Sequence, residues 1–169
     1  MSSSKSSPNS NSTAKKANQR GAARLAAVQA LYQMDIGRTS LDHTLSQFMT
    51  FYMGQEIEGD EYLPADKNFF KQIVEGVAKN QLQIDPLIDK SLVEGWPVTR
   101  IDSTLRAILR GATFELLHKK DIPAKVIITE YVDIARAFFE KDEPRVANGV
   151  LDNIARQHRS ADLGDGAKN

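Results

Sequence analysis

Cysteine is absent from the 169-residue sequence, which excludes a disulfide framework and any thiolate metal site. No apolar run approaches the roughly 20 residues of a membrane-spanning helix, and no secretory signal follows the N-terminus. An excess of one charge is also missing, because 22 basic residues balance 22 acidic residues. Any nucleic-acid site must therefore come from local clustering, in a protein expected to be cytoplasmic and free of membrane partners.

Motifs of catalysis and cofactor binding are missing as well. The sequence contains no glycine-rich phosphate loop and no nucleophile elbow, which predicts a protein without a cofactor or enzymatic activity. The histidines, His43, His118 and His158, lie too far apart for a helical metal site. Glu130 and Asp133 are one helical turn apart, as an acid–base pair requires, but a solvated acidic face is the favoured interpretation.

Helical periodicity dominates the chain, because apolar residues recur at spacings of three and four rather than two. The β-branched run at 126–129 favours a strand by propensity, but the spacing that continues through Tyr131 and Phe138 favours a helix. Ser40 predicts an N-cap, Asp85–Pro86 a second helix start and Thr99–Asp102 a capping box before a third, whereas Gly37 predicts the end of the first helix. Apolar residues at helical spacing are expected to face the core, among them Leu25 in the first helix, Val146 in the last, and Ile101, Leu105, Ile108, Leu109, Ala112 and Leu116 along the fifth. The sequence thus predicts an all-α fold with about seven helices, over residues 22–36, 40–53, 65–78, 85–95, 99–118, 126–138 and 143–158.

Composition divides the chain into three parts. Residues 1–19 are rich in Ser, Asn and Lys and have little to bury, which predicts an unstructured basic tail. Residues 20–158 form the predicted helical domain. Residues 159–169 are expected to be a flexible C-terminal tail for the same compositional reason.

Basic residues are concentrated at the start of the chain. Lys15, Lys16, Arg20 and Arg24 all precede Asp35, the first acid. A flexible basic segment that leads into a helix N-terminus favours phosphate, through both its charges and the free N–H groups of the first turn. This pattern indicates nucleic-acid binding, with a simple solubility tail as the alternative.

A second basic set lies further along the chain. Arg106 and Arg110 are four residues apart on the fifth predicted helix, and Arg145 opens the last one. If the fold brings them beside the N-terminal cations, a basic surface results. Tyr32 is then placed to stack on an unpaired base, although a position at the rim of the core explains it equally well.

Four segments together resemble the NusB family of transcription antitermination factors. They are RLAAVQALY at 24–32, IDSTLRAILRGATFELL at 101–117, KVIITEYVDIAR at 125–136 and ANGVLD at 147–152. They occur in the family's order with similar separations, and the likeness covers residues 20–157.

The resemblance implies an all-helical fold of two packed subdomains that binds single-stranded boxA RNA together with the ribosomal protein NusE. In this family the pair joins NusA, NusG and RNA polymerase to support transcription of ribosomal RNA operons. The family contacts RNA through its arginine-rich start and first helix, helped by the last two helices. By position, Arg20, Arg24 and Tyr32 match RNA-side residues of the family. The resemblance also places Arg110 and Arg145 near that surface, with Asp142 and Asn148 beside it, and Asn148 is counted with the predicted RNA-binding residues.

The sequence departs from the family pattern at two places. Gly21 and Ala22 stand where arginines are often found, and Val146 replaces an aromatic residue. Both changes weaken the expected RNA contacts, and Lys15 and Lys16 are predicted to compensate from upstream.

Three alternatives stay open. The first is a relative of the RNA cytosine methyltransferases that carry a NusB-like domain, although a cofactor motif and a catalytic cysteine are both missing. The second is a protein-interaction module that binds NusE without significant RNA affinity. The third is a homodimer that buries the RNA surface.

Overall fold

The computed structural model describes residues 8–51, 65–92 and 97–162, except for the side chains of residues 8–15 and 51. These residues form six α-helices and one 3-10 turn, and no strand occurs in the described ranges. The all-α prediction is therefore confirmed. The helices are α1 (Pro8–Gly37), α2 (Leu41–Phe51), α3 (Lys67–Ser91), α4 (Ser103–His118), α5 (Ala124–Phe138) and α6 (Glu143–His158), with the 3-10 turn at Val98–Arg100 before α4.

Helix α4 is the centre of the molecule. It packs against α1, α3, α5 and α6, and every side chain from Leu105 to Leu116 is buried. The apolar face predicted for this helix is confirmed, including Ile101 just before it. The buried apolar side chains of the described residues form one cluster, so the two expected helical subdomains share a core.

Helix α1 begins at Pro8, far before the predicted start at residue 22. The expectation of an unstructured tail over 1–19 is therefore wrong for residues 8–19, and residues 1–7 lie outside the described chain. Pro8 is tolerated in a first helical turn, and the Ala, Lys, Gln and Arg residues that follow are good helix formers. Once the downstream half is packed, extending a helix costs much less than nucleating one. The predicted end at Gly37 is confirmed.

Helix α3 replaces two of the predicted helices. The break occurs at Asn80, whose φ of −115° and ψ of 17° are non-helical, and its amide donates to the Gly76 carbonyl at 2.8 Å. Pro86 lies inside the second segment rather than at its start, and Asp85 is not an N-cap. The sequence placed the break between the two helical segments wrongly, because Asp–Pro is a strong signal for the start of a helix. A helix kink at an Asn side chain has no comparable sequence pattern.

Two other helix starts are set by side-chain caps. Asp102 is the N-cap of α4, because its carboxylate accepts from the Thr104 and Leu105 backbone N–H groups at 2.7 and 3.2 Å. The predicted capping box, in which Thr99 is the N-cap, is therefore wrong. Ser40 accepts from the His43 N–H at 3.1 Å and caps α2 as predicted. The helical interpretation of residues 126–138 is confirmed, as are the bounds of α6. The predicted end of α2 at residue 53 lies outside the described residues.

The C-terminal segment is tied down rather than flexible up to residue 162. Arg159 is buried and donates to the Leu116 carbonyl at 3.2 Å and to the Ile122 carbonyl, at the C-terminal end of α4. Asp162 pairs with Arg159 and accepts from the Ala124 N–H at 3.1 Å, at the start of α5. The predicted flexible tail over 159–169 is thus wrong for residues 159–162; the remainder lies outside the described chain.

Two of the apolar side chains expected to face the core are partly exposed. Leu25 and Val146 are 39% and 38% exposed. Both lie at the edge of an apolar stripe, where spacing alone does not separate core from rim. No helix in the described ranges is long and apolar enough to span a bilayer.

Gly76 is required where α3 meets α4. A Cβ atom at this position would lie 2.1 Å from the Phe114 ring, whereas one at Gly149 would meet nothing within 4 Å. We expect Gly76→Ala to lower the free energy of unfolding by about 1–3 kcal/mol through overpacking. Gly149→Ala, the matched control, should raise it by up to about 1 kcal/mol through helix propensity. Urea unfolding checks both signs; equal effects at the two positions would contradict the packing assignment.

Candidate nucleic-acid interface

Arg24 is buried in an ion pair instead of facing solvent. Its Nε and Nη2 atoms donate to the two carboxylate oxygens of Glu115, both at 2.9 Å, and its Nη1 lies 3.3 Å from Glu130 Oε1. Arg24 is 3% exposed and the Glu115 side chain is fully buried. Burial tends to lower the pKa of Arg24, but the hydrogen bond and charge of Glu115 outweigh it, so the pKa is raised.

Tyr131 completes this buried cluster. Its hydroxyl donates to Glu115 Oε2 at 2.5 Å, so Glu115 accepts from two helices at once. Burial, followed by the adjacent Glu115 carboxylate, raises the pKa of Tyr131 well above its ordinary value. Phe69 lies under the same arginine, with the Arg24 guanidinium carbon 5.0 Å from the ring centroid.

The second basic set is also paired internally. Arg106 Nε donates to Asp35 at 2.7 Å, and Arg106 Nη1 donates to the Val98 carbonyl at 3.1 Å. Arg110 donates through Nε and Nη2 to Asp85 at 2.9 and 2.8 Å. These arginines join α4 to α1, to α3 and to the 3-10 turn.

Two of the residues predicted to contact RNA are therefore paired inside the fold. The guanidinium groups of Arg24 and Arg110 already have carboxylate partners and are almost inaccessible to an external phosphate. The sequence pattern does not reveal this pairing, because an arginine shows its charge in the sequence but not its partner. Arg24 also lies deep within α1 rather than in the first turn, because the helix begins at Pro8.

Among the described side chains near the start of the chain, the cations that remain accessible are Lys16 and Arg20. Lys16 is exposed, and Arg20 is partly buried with its guanidinium carbon 4.8 Å from the Phe69 centroid. Arg20 Nε is buried and has no hydrogen-bond partner within the described part of the chain. Lys119, which the sequence analysis missed, adds a third cation 5.8 Å from the same ring. The side chain of Lys15 lies outside the described residues.

Lys16 and Arg20 border a cavity of about 380 Å³ between α1 and α5, here called the N-terminal cavity, whereas Lys119 does not line it. The α5 side contributes the apolar side chains Ile122 and Val126 and the carboxylate of Glu130. The cavity thus combines positive charge, an apolar wall and one acceptor. Its complete lining is Lys16, Ala17, Asn18, Arg20, Gly21, Ala22, Arg24, Ile122, Val126 and Glu130.

Tyr32 lies in a separate place on α1. It is 41% exposed and borders a cavity of about 440 Å³ that includes Ile36 and Phe48. At 3.6 residues per turn, Tyr32 and Lys16 point to nearly opposite sides of the helix. The tyrosine ring and the first lysine therefore do not belong to one compact site.

Arg145 and Asn148 are exposed on α6 and are remote from the α1 cations. Arg145 pairs loosely with Asp142, at 3.8 Å. Arg24 meets α4 at Glu115, near its C-terminal end, whereas the first turns of α6 lie beside Leu105 at the opposite end. The fold does not bring Arg145 beside the N-terminal basic segment.

An apolar groove runs past the start of α6, here called the α6 groove. Its volume is about 740 Å³, and its floor includes Leu105, Val146 and Val150. Asp102, Asp142 and Glu143 provide acidic groups at its edges. The remaining lining residues are Ser91, Leu92, Ile101 and Gly149. Among the described residues, no group of three or more His, Asp or Glu side chains is arranged to hold a metal ion.

Sequence reasoning missed the carboxylates of both ion clusters. Glu115, Asp35 and Asp85 stand at ordinary positions in helical sequence and carry no motif. The available signal was an acid within an otherwise apolar segment, since Glu115 lies between Phe114 and Leu116 near the end of the fifth predicted helix. A buried acid requires a partner, and a nearby arginine is the usual one.

The Arg24–Glu115 pair should be costly to break and much less costly to replace. We expect Glu115→Gln to lower the free energy of unfolding by about 3–5 kcal/mol, because it leaves a buried arginine uncompensated. The triple variant Arg24→Met, Glu115→Leu, Tyr131→Phe should recover most of that stability. The urea unfolding midpoints of Glu115→Gln and of the triple variant show whether the triple variant recovers the lost stability. A triple variant no more stable than Glu115→Gln would show that the ion pair contributes net stability.

Tyr131 should make the folded state sensitive to alkaline pH. Because its pKa is raised on folding, both states carry the phenol proton below pH 10, and only the unfolded state loses it above pH 10. Stability should therefore fall by about 1.4 kcal/mol per pH unit above pH 10 from this residue alone. We expect Tyr131→Phe to remove that slope and the control Tyr32→Phe to retain it, in unfolding measured against pH. Parallel curves for wild type and Tyr131→Phe would contradict the assignment.

Comparison with known proteins gives a consistent result. The chain is 57% identical over 152 residues, or 90% of its length and 87% of the relative, to transcription antitermination protein NusB of Rhodopseudomonas palustris strain TIE-1. The structure of T. maritima NusB is similar with a TM-score of 0.71 and 31% identity, covering 85% of this chain and 96% of that one.

A crystal structure of the antitermination factors NusB and NusE in complex with dsRNA is also similar. Its TM-score is 0.70 at 20% identity, covering 83% of this chain and 98% of that one, which shows a shared fold. The NusB family model matches residues 21–156, which includes α4, both ion clusters and most of α1. The chain therefore belongs to the NusB family.

Proposed function

We propose that this protein is an RNA-binding transcription antitermination factor that acts with NusE on boxA RNA. The observation that carries the proposal is the N-terminal cavity, where accessible cations border an apolar wall in a chain of the NusB family. The Rhodopseudomonas palustris relative carries the name transcription antitermination protein NusB, and a protein of this fold has been crystallised with NusE and dsRNA. On this proposal the protein binds and does not turn over substrate, in the cytoplasm.

Phosphate contact is assigned first to Lys16 and Arg20. Lys16 is exposed, and the Arg20 guanidinium is held against Phe69 while its Nε has no protein partner among the described residues. A side chain positioned in this way loses little further freedom when it binds a phosphate. Lys15, one residue upstream of Lys16, is proposed to add a contact from the same segment.

Beyond the N-terminal cavity, we propose further contacts along an extended single strand of RNA. Tyr32 is exposed on another side of α1 and offers a ring for stacking. Arg145 and Asn148 are exposed on α6, where they offer a further cation and an amide. Because these groups are dispersed, single-stranded RNA, which bends readily, suits them better than a rigid duplex.

The α6 groove is proposed to receive NusE. Its apolar floor is bordered by three carboxylates, and one oxygen of Glu143 is buried without a hydrogen-bond partner among the described residues. Such a surface suits a protein segment with apolar and basic side chains. Within the cell, the NusE complex would then join NusA, NusG and RNA polymerase. A homodimer that uses the α1 surface would compete with RNA.

A protein-interaction module that binds NusE without RNA is the second candidate. The burial of Arg24 and Arg110 favours it, since two of the expected phosphate ligands are already paired. The two functions differ in whether the remaining cations produce salt-dependent RNA affinity.

RNA binding can be tested on the two accessible cations. We expect the double variant Lys16→Ala, Arg20→Ala to weaken binding of boxA and scrambled RNA alike, because phosphate contacts carry no sequence information. The slope of log affinity against log salt should fall by about 0.7 for each phosphate that the variant no longer neutralises. Fluorescence anisotropy at several salt concentrations, with and without NusE, provides both quantities.

Lys79→Ala is the matched control, because Lys79 is an exposed cation on α3 that borders neither the N-terminal cavity nor the α6 groove. It should leave the affinity unchanged. If Lys79→Ala weakened RNA binding as much as the Lys16 and Arg20 double variant does, nonspecific charge alone would explain the RNA affinity. Absence of RNA binding by wild type, even with NusE, would favour the protein-interaction module.

A further inference from the structure

The N-terminal cavity contains one acid among its cations. Glu130 borders the cavity from α5, and its side chain is 35% exposed. A carboxylate at this place repels phosphate, so Glu130 opposes the affinity that Lys16 and Arg20 supply. Stability gains little from it, since its contact with Arg24 is long at 3.3 Å and Arg24 is already satisfied by Glu115 at 2.9 Å. The position of Glu130 therefore calls for another explanation.

We propose that Glu130 is a specificity-determining residue that accepts the N–H donors of one unpaired guanine in the N-terminal cavity. This inference rests on the proposed RNA-binding function and adds to it the identity of a base that the cavity recognises. Guanine presents N1–H and the N2 amino group side by side on its Watson–Crick edge, which matches the two oxygens of a carboxylate. Single-stranded RNA exposes that edge to a protein.

The cavity has the other features that a base requires. Val126 is 45% exposed and, with Ile122, forms an apolar wall for the base plane. Lys16 and Arg20 lie across the cavity on α1, where they can meet the phosphates on either side of the base. Its volume of about 380 Å³ is ample for one nucleobase.

The carboxylate also has a fixed neighbour. Arg24 contacts Glu130 Oε1 and is itself fixed by two hydrogen bonds to Glu115. A Cβ atom at residue 21 would lie 3.2 Å from the same oxygen, so Gly21 leaves the approach to Glu130 open. The glycine that stands in place of an expected arginine thus gives a base access to the carboxylate.

The test compares Glu130→Gln with Asp133→Asn. Both variants remove one negative charge from α5 one turn apart, but Asp133 is exposed, pairs with Arg136 and does not border the cavity. The probes are short, fluorescently labelled, uridine-rich RNAs with one guanine, and the same strands with inosine or adenine at that place. Inosine lacks only the N2 amino group. Anisotropy is measured with and without NusE.

We expect wild type to prefer the guanine strand over the inosine and adenine strands by about tenfold, as a bidentate base contact provides. Glu130→Gln should bind the adenine strand more tightly than wild type and reduce the guanine preference to about threefold or less. Asp133→Asn should keep the full preference. Glu130→Asp, which keeps the charge but shortens the side chain, should reduce the preference without tightening the adenine complex.

Two results would overturn the inference and leave RNA binding intact. In the first, wild type binds the three strands equally. In the second, Glu130→Gln and Asp133→Asn strengthen all three strands to the same degree, so that Glu130 acts only through charge. A wild-type protein that binds no strand, alone or with NusE, would overturn both the inference and the proposed function.

Discussion

The ion pair between Arg24 and Glu115 is the interaction on which the arrangement of this molecule depends. It lies at the centre of four elements, since Tyr131 of α5 donates to the same carboxylate and Phe69 of α3 lies under the same guanidinium. Buried charges tolerate only partners with correct geometry, so this pair fixes how α1 lies along α4. Asp35 repeats the connection at the far end through Arg106, and the two contacts together make α1 antiparallel to α4.

Internal pairing of arginines determines what is left for an outside partner. A chain with balanced charge has few cations in excess, and Arg24, Arg106 and Arg110 are each assigned to a carboxylate inside the fold. Among the described residues, the basic character of the N-terminal cavity therefore depends on Lys16 and Arg20, and Lys119 adds a cation beside the Phe69 ring that Arg20 also contacts. With so few accessible cations, the positions of individual charges matter more for phosphate affinity than the total charge does. A single carboxylate such as Glu130 therefore has a large influence on that affinity.

The length of α4 separates two surfaces. The N-terminal cavity lies near its C-terminal end, and the α6 groove lies near its start. At 1.5 Å per residue, the ten residues from Leu105, which lines the groove, to Glu115, which binds Arg24 of the cavity, span roughly 15 Å along the helix. One surface is basic with an apolar wall and the other is apolar with acidic groups. Because Arg24 of the cavity is fixed to Glu115 and Leu105 lines the groove, the same helix holds a partner bound at one surface in a fixed position relative to a ligand bound at the other.

The sequence by itself determined the fold class, the apolar face of α4 and most of the helix ends, because periodicity and capping are local properties. It also identified the family, through four segments in the right order. Only the tertiary structure decided which charges are available. Arg24 and Lys16 look alike in sequence, yet one is buried against an acid 91 residues away and the other is exposed. Pairing of this kind depends on how helices pack, and no local pattern encodes it.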